Sequence, residues 1–263
     1  MDEALISPKL ELEALPGIPL IRPGDDLAAL ILRAMEAARF ELKDDDILVI
    51  TSKLFSRAEG RFINLDEIEI SEEARALAEE IEKEPALVEA ILRESSGISR
   101  KKTGVLIVRH RLGFISANAG IDASNAGPPE AGGDGNYILL LPEDPDASAT
   151  RLRVALESAL AVRLGIILSD SHGRPFRQGT VGVAIGVSGL PAIVDHVGRE
   201  DLLGRKLEYT VTGLADQLAA AADLVAGQSD EARPIVRIRG VKMSARDGSA
   251  RDLLREPADD LYA

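Results

Sequence analysis

An aspartate and a hydroxyl side chain follow an apolar run in the second half of the chain, and two arginines lie a few residues beyond. Asp170 and Ser171 come directly after Leu164–Ser169, a run typical of a buried strand, and Arg174 and Arg177 follow. Carboxylate and hydroxyl oxygens bind divalent cations, and guanidinium groups bind phosphate oxygens. The pattern therefore indicates a metal and phosphate site at a strand end. A helix cap followed by a solvated basic loop is the alternative that these residues leave open.

A second carboxylate lies in a glycine-containing loop, where Asp122 and Asn125 stand three residues apart. One side chain could bind a divalent cation while the other hydrogen-bonds a substrate. Asp and Asn also stabilise ordinary turns, and the spacing alone favours that explanation. The surrounding segment Gly120–Asn136 is a long loop, and long loops inside compact domains are often functional.

Hydroxyl and cationic side chains also follow the apolar run Asp46–Thr51. Ser52, Lys53 and Arg57 could meet phosphate oxygens there, whereas the alternative is a helix start with a capped first turn. Gln228, in the loop after an alanine-rich segment, could supply one more oxygen ligand. A helix-terminating glycine explains the preceding Gly227 equally well.

The absent residue types and motifs narrow the chemistry further. The chain has no cysteine, and its three histidines do not form an HExxH pattern, so any metal is expected to be held by oxygen ligands, as Mg²⁺, Mn²⁺ or Ca²⁺ would be. The common nucleotide motifs GxxxxGK[ST] and GxGxxG are missing, as is the GxSxG nucleophile motif. Any nucleotide site must therefore be of an unconventional kind.

The charge and the hydropathy pattern indicate where the protein works. A net charge of −13 argues against non-specific binding to nucleic acid. No apolar run approaches the roughly 20 residues that cross a bilayer, and the acidic N-terminus does not read as a signal peptide. We expect a cytoplasmic protein with no membrane partner.

Hydrophobic periodicity predicts the elements that must position these residues. Helices are predicted at Leu27–Phe40, across Glu72–Arg93 with a break at Pro85, from a cap at Asp146 to about Val162, and at Leu214–Ala226. Strands are predicted at Asp46–Thr51, Gly104–Arg109, Leu112–Ala117, Ile138–Leu141, Leu164–Ser169, Thr180–Ser188, Leu207–Gly213 and Pro234–Arg239. Because regular βαβ alternation and repeats are missing, the predicted class is α+β or mixed α/β.

Several of these segments together resemble one family. GIPLIRPGDDL, ILVITSKLFSRAEGR, NAGIDASN, LLLPEDPDASA, IILSDSHGRPFRQGTVGVAIGVSG, GREDLLGRKL and ADQLAAAADLVAGQ occur in the order found in coenzyme F420:L-glutamate ligases. The similarity runs from about Leu15 to Gly240, which predicts a ligase domain over residues 1–240 and a C-terminal tail over residues 241–263.

The resemblance implies an activity and its requirements. Members of this family use GTP to add L-glutamate to coenzyme F420-0 through γ-linked amide bonds, with Mg²⁺ or Mn²⁺ at two positions and help from K⁺. The resemblance also implies a family-specific fold with mixed and antiparallel sheets and an intertwined homodimer.

The resemblance further implies roles for individual residues. Nucleotide contacts are expected from Ile18, Pro19, Leu20, Ile21, Ser52, Lys53, Arg57 and Asn125. Divalent metals are expected on Asp122, Asp170, Ser171 and Gln228, of which the two aspartates, together with Lys53, are the expected catalytic residues. Gln228 stands where the family pattern has Glu, so a ligand charge is lost. Arg174 and Arg177 are candidate partners for the phosphodiester of the coenzyme.

Two other functions remain compatible with these motifs. The same acyl-phosphate chemistry could serve a different acceptor, because the motifs indicate nucleotide and metal more directly than the deazaflavin. A nucleotide-binding regulator without turnover is the alternative from another class. Retention of both Asp122 and Asp170 disfavours the regulator, since a binding module could dispense with one metal carboxylate.

Overall fold

The computed structural model describes residues 9–123, 126–128, 135–242 and 247–259. The α-helices among these residues are α1 (Leu27–Ala38), α2 (Ser52–Ala58), α3 (Glu72–Ile81), α4 (Pro85–Arg93), α5 (Pro145–Leu160) and α6 (Leu214–Ala226). The strands are β1 (Glu11–Ala14), β2 (Asp46–Thr51), β3 (Phe62–Asn64), β4 (Ser95–Lys102), β5 (Val105–His110), β6 (Ile115–Ala117), β7 (Tyr137–Leu139), β8 (Leu164–Arg174), β9 (Arg177–Ser188), β10 (Val194–Asp195), β11 (Val211–Thr212) and β12 (Ile235–Arg239). The predicted α+β class is confirmed.

A five-stranded sheet forms the centre of the molecule, in the order β1-β12-β2-β8-β9. β2 and β8 run parallel, and every other pair in this sheet is antiparallel. Alternate residues of the two parallel strands face opposite layers: Leu48 and Ile166 pack toward α1 and α5, whereas Ile47 and Ile167 pack toward α6. Burial on both faces explains why these strands are continuously apolar in sequence.

A smaller layer packs beside the central sheet. β4, β5 and β6 form an antiparallel sheet. α3 and α4 cover its apolar face, and the contact consists of the helix residues Leu77, Ile81, Val88 and Ile91 and the β5 residues Leu106 and Val108. β4 was not predicted, because six of its eight residues are exposed and its sequence is mostly polar. The pairing of β3 with β7 joins this layer to the loop that carries Asp122.

The start of α5 differs from the prediction. Asp144, not Asp146, is the N-cap, because its side chain accepts the Ala147 N–H and Pro145 occupies the first helical position. Asp146 instead accepts the backbone N–H of Val187 on β9, at 2.7 Å. A carboxylate expected to cap a helix therefore satisfies the edge of the central sheet.

The strand that carries Asp170 is longer than predicted. β8 continues through Asp170 to Arg174 and turns directly into β9, with which it stays paired from Ile166 to Arg174. Asp170 therefore lies within a long β-hairpin and not at a strand end, and the alternative of a helix cap is wrong. Polar residues extend the strand because the partner strand supplies their backbone hydrogen bonds.

A ribbon projects between β10 and β11. The predicted strand Leu207–Gly213 is regular only at Val211–Thr212, and the ribbon is held farther out by the bridge between Glu200 and Lys206. Leu202 and Leu203, near its tip, are 104% and 94% exposed. Among the described residues, no helix is both long and apolar enough to cross a membrane.

Candidate functional site

The candidate site lies at the carboxyl edge of the parallel strands β2 and β8. Thr51 at the end of β2 is opposite Ser169, so α2 starts beside Asp170, where β8 continues past the end of its parallel partner. Ligands of α/β sheets commonly bind outside the carboxyl ends of parallel strands. α2 begins where the alternative reading placed a helix start, but Thr51 makes no side-chain capping hydrogen bond.

Lys53 and Asp122 form an ion pair at this edge. The Lys53 Nζ lies 2.5 Å from the Asp122 Oδ2, and the two side chains are 42% and 26% exposed. The backbone of Asp122 is anchored to β7, since its N–H donates to the Leu139 carbonyl and its carbonyl accepts the Leu139 N–H. The backbone is fixed and the Oδ2 is buried, while the 26% exposed remainder of the side chain is accessible to a ligand.

A left-handed turn brings the Asp122 loop against Asp170. Asn118, Ala119 and Gly120 have φ angles of 51°, 56° and 65°. A Cβ on Gly120 would lie 2.8 Å from the Leu141 Cδ1 and 3.4 Å from the Asp170 Oδ2, so glycine permits the close approach. Consecutive left-handed residues are costly and tend to occur at functional sites. The turn places the two predicted metal carboxylates in one neighbourhood.

A column of three rings supports Asp170. The His172 Nε2 is 3.0 Å from the Asp170 Oδ2, and Phe114 packs against His172 with ring centroids 5.0 Å apart. His110 stacks on Phe114, also with ring centroids 5.0 Å apart. Burial, reinforced by the positive charge of Arg111, lowers the pKa of His110 to about 4, so this ring is neutral at physiological pH.

Ser171 and Gln228 meet on the other face of β8. The Ser171 Oγ donates to the Gln228 Oε1 at 2.8 Å, although the residues are 57 positions apart. Side chains alternate along a strand, so Ser171 points away from the face that carries Asp170 and His172. The structure therefore pairs Ser171 with Gln228 on one face of β8, while Asp170 lies on the other face beside the loop that carries Asp122.

Asp223 is a carboxylate near this site that sequence reasoning missed. It accepts the backbone N–H of Gly182, the residue opposite Ser171, and a Cβ on Gly182 would lie 2.9 Å from its Cγ. Burial raises the pKa of Asp223, and the charge of Asp170 raises it further, while the Gly182 hydrogen bond opposes the shift. An acidic residue in an alanine-rich helix does not by itself indicate a functional site. Its contact with Gly182, on a distant strand, cannot be read from the sequence.

Arg57 is engaged inside the protein. It is 5% exposed, its Nε donates to the Ile21 carbonyl at 3.0 Å, a terminal nitrogen donates to the Gly127 carbonyl at 3.2 Å, and its guanidinium lies over the Phe62 ring. Ile21 and Ser52 are buried as well, Ile18 is half-buried, and Pro19 and Leu20 are exposed. Asn125 lies outside the described residues. The nucleotide contacts of this group remain a prediction.

The two candidate coenzyme-binding arginines flank the tip of the β8–β9 hairpin. Arg174 is opposite Arg177, and one Arg174 nitrogen lies 3.5 Å from the Gln178 carbonyl. Its other terminal nitrogen is buried with no hydrogen-bond partner in the described part of the chain. Between the arginines, Phe176 has a φ of 60° and is 94% exposed.

The donor set fits a cation bound by oxygen. Asp122 and Asp170 offer carboxylates, Ser171 and Gln228 offer neutral oxygens, and hard cations such as Mg²⁺ and Mn²⁺ prefer such ligands. The Asp170 Oδ1 has no hydrogen-bond partner among the described residues, whereas His172 contacts the Oδ2. In the same part of the chain, no cluster of three or more His, Asp or Glu side chains is arranged to hold a metal, so water and phosphate oxygens would have to complete the coordination.

Comparison with known proteins identifies what the chain is similar to. A family model described as F420-0:Gamma-glutamyl ligase matches residues 17–240. A coenzyme F420:L-glutamate ligase of Methanopyrus kandleri is 46% identical over 97% of this chain and 98% of its own length. The enzymes of that name from Methanothermobacter thermautotrophicus and Archaeoglobus fulgidus are 46% and 41% identical, each over 96% of this chain and over 98% and 96% of their own lengths.

Proposed function

The chain belongs to the F420-0:gamma-glutamyl ligase family, and from that premise we propose that it joins L-glutamate to coenzyme F420-0 through γ-linked amide bonds during F420 biosynthesis. GTP supplies the activation, with Mg²⁺ or Mn²⁺ and K⁺ as cofactors. The observation that carries the proposal is the Lys53–Asp122 ion pair beside Asp170 at the carboxyl edge of β2 and β8, because both carboxylates lie within the family-matched residues.

Amide formation from a carboxylate requires activation, since oxide is too poor a leaving group for an amine to displace. In the proposed first step, a carboxylate oxygen of the coenzyme attacks the γ-phosphorus of GTP. The bond between that phosphorus and the β–γ bridging oxygen breaks, and GDP leaves. In the second step, the glutamate amine attacks the carbonyl carbon of the acyl phosphate. Phosphate leaves, and the nitrogen loses a proton.

Different residues at this edge would bind the metal ions and the phosphate oxygens in these steps. Asp122 and Asp170 would hold one divalent cation, and Ser171 and Gln228 would hold another. Mg²⁺ or Mn²⁺ bound there would neutralise charge on the phosphates. Lys53 is a compact cation on a flexible stem, so its ammonium can leave Asp122 for a phosphate oxygen when the nucleotide arrives. Its 42% exposure keeps that movement open.

Arg57 would act on the nucleotide site by fixing the Ile18–Ile21 segment, which is predicted to contact the nucleotide. Because its guanidinium holds the Ile21 carbonyl and the Gly127 carbonyl, it ties the Ile18–Ile21 segment to the loop that follows Asp122. We therefore assign Arg57 to positioning that segment, in addition to the phosphate contact that the family resemblance implies. Arg174 and Arg177, at the hairpin tip, remain the proposed partners of the coenzyme phosphodiester.

A homodimer is part of the proposal. The ribbon between β10 and β11 exposes Leu202, Leu203 and Tyr209 at 104%, 94% and 88%. Contiguous exposed apolar side chains commonly mark a protein contact surface. A second copy of the chain would bury them, in keeping with the intertwined dimer that the family resemblance implies.

Mass spectrometry of the coenzyme precursor tests the proposed reaction. The wild type is incubated with GTP, Mn²⁺ and L-glutamate beside Asp170→Asn and the matched control Asp66→Asn, whose exposed side chain lies in the short turn after β3. We expect glutamate-sized mass additions with the wild type and the control, and none with Asp170→Asn. Nucleotide binding without any addition by the wild type would contradict the proposal and favour another acceptor or a regulator.

A further inference from the structure

A cavity of about 210 Å³ lies beside the candidate site, between β9, the start of α5 and the C-terminal segment 250–254. Its walls include Phe114, Asp146, His172, Asp216, Arg251 and Leu254. Sites for drug-sized ligands usually occupy about 300–1,000 Å³. The cavity is therefore too small for a nucleotide or a deazaflavin and suits a ligand the size of an amino acid.

The C-terminal segment is firmly docked as one wall of this cavity. The Ser249 Oγ donates to the Asp146 Oδ2 at 2.5 Å, and the Ala250 N–H donates to the Asp146 Oδ1 at 3.1 Å. Leu254 packs on Gly113, where a Cβ would lie 2.6 Å from the leucine Cδ1. This wall lies outside residues 17–240, the part of the chain that the family model matches.

The side chain of His172 separates the cavity from Asp170 at the proposed reaction centre. His172 lines it and also contacts Asp170, with the Nε2 3.0 Å from the Oδ2. Phe114, which packs on His172, lines the cavity as well. A small ligand held here would have one end within reach of a carbonyl group activated beside Asp170.

The charges at the cavity suit the ammonium and one carboxylate of an amino acid, because two further acids of the lining are already engaged: Glu143 pairs with Arg61, and Asp144 accepts the Ala147 N–H. The guanidinium of Arg251 is exposed and has no ion-pair or hydrogen-bond partner within the described residues. Asp146 is occupied by backbone and hydroxyl donors, and one oxygen of Asp216 accepts the Ala184 N–H. The second Asp216 oxygen has no hydrogen-bond partner in the described part of the chain, so the same lining offers an acceptor for an ammonium group and a cation for a carboxylate.

We propose that this cavity is the subsite for the incoming amino acid, in which Arg251 binds a carboxylate of L-glutamate and Asp216 receives its amino group. The inference rests on the proposed function, because it assigns a place to that reaction's nucleophile. Residues after 240 then contribute to which amino acid is accepted.

Steady-state kinetics with Arg251→Ala test the subsite. We expect the KM for L-glutamate to rise about 10-fold to 100-fold, as the loss of a charge-assisted contact implies, while the KM for GTP stays unchanged. Arg251→Lys should recover part of the loss. The matched control is Arg75→Ala, on the exposed face of α3, which should leave both constants unchanged. An unchanged KM for L-glutamate in Arg251→Ala would overturn the proposal.

Direct binding of L-glutamate separates this proposal from the proposed function. Ligand-observed NMR with L-glutamate alone requires no turnover, so it reports on the cavity even if the wild type ligates nothing. Binding by the wild type and by Arg75→Ala, but not by Arg251→Ala, would support the subsite in either case. Equal binding by all three variants, or none by the wild type, would reject it.

Discussion

The two ends of strand β2 carry ion pairs of opposite kinds. At its start, Asp46 is completely buried, and Arg239 binds both of its oxygens, at 2.7 and 2.6 Å, while the Lys43 N–H donates to it as well. Just past its end, Lys53 lies 2.5 Å from a carboxylate oxygen of Asp122, whose side chain is partly exposed. The first carboxylate is saturated by a rigid fork, and the second is held by a flexible point charge that can be exchanged.

The difference between these two ion pairs separates a pair that stabilises the fold from a pair that can take part in chemistry. A buried pair that loses one partner leaves an uncompensated charge, so such a pair serves the structure. An exposed lysine–carboxylate pair contributes little to stability, and its separation costs little. The edge at the end of β2 can therefore change partners when ligands bind, while the edge at its start cannot.

The largest expected effect compares Asp46→Asn with Asp122→Asn. We expect Asp46→Asn to lower the free energy of unfolding by about 2–3 kcal/mol, since the buried carboxylate loses its charge-assisted bonds while Arg239, which is 27% exposed, can still be solvated. Asp122→Asn should change it by less than about 1 kcal/mol. Urea unfolding of both variants measures the contrast, and equal losses of stability would break it.

The next effect concerns the contact between His172 and the Asp170 carboxylate at the candidate site. His172→Gln removes the ring that contacts Asp170, and we expect Mn²⁺ affinity to fall about 10-fold to 100-fold, as for other partners of ligating side chains. Electron paramagnetic resonance of free Mn²⁺ in the presence of a non-hydrolysable GTP analogue measures the affinity.

The matched control for this variant is His196→Gln. His196 lies at the base of the ribbon, where its Nε2 is 3.4 Å from the Thr212 Oγ1. Its replacement should leave Mn²⁺ affinity unchanged. If the two histidine variants bound Mn²⁺ equally well, Asp170 would not depend on His172 for its orientation.

The smallest expected effect is a loss of folding stability at acidic pH, caused by His110 near the candidate site. Burial lowers the pKa of His110 from 6.5 to about 4, so the unfolded chain binds a proton more readily in that range. The neutral His110 ring therefore causes no loss of stability above about pH 6.5. As the pH falls from about 6.5 toward about 4, the unfolded chain takes up a proton that the folded chain does not, and the free energy of unfolding falls by about 1–2 kcal/mol between pH 7 and 5.5. Urea unfolding at these two pH values measures it.

His110→Asn provides the comparison for the pH series. Its side-chain oxygen can replace the Nδ1 that accepts the Leu112 N–H, at 2.9 Å, but it does not titrate. The variant should show a smaller loss of stability between pH 7 and 5.5 than the wild type. The same loss in both proteins would place the acid sensitivity elsewhere.

Much of the fold was predictable because its elements are strongly periodic. The strand Asp46–Thr51 and the helix Leu214–Ala226 have the bounds that hydrophobicity predicted, and the break at Pro85 separates α3 from α4. The failures are also physical. β4 was missed because its exposed face is polar, and Asp146 was misassigned because its partner, Val187, is 41 residues away.

The sequence by itself determined the family and the α+β class, and it predicted an oxygen-liganded metal site with Asp122, Asp170, Ser171 and Gln228 as candidates. Short-range periodicity and ordered motifs carry that information locally. Only the tertiary structure decided which of these side chains meet. It paired Lys53 with Asp122 and Ser171 with Gln228, and it revealed Asp223 near Asp170 and the Arg251 wall beside His172. Contacts between residues far apart in the chain depend on packing and register, which one sequence does not display.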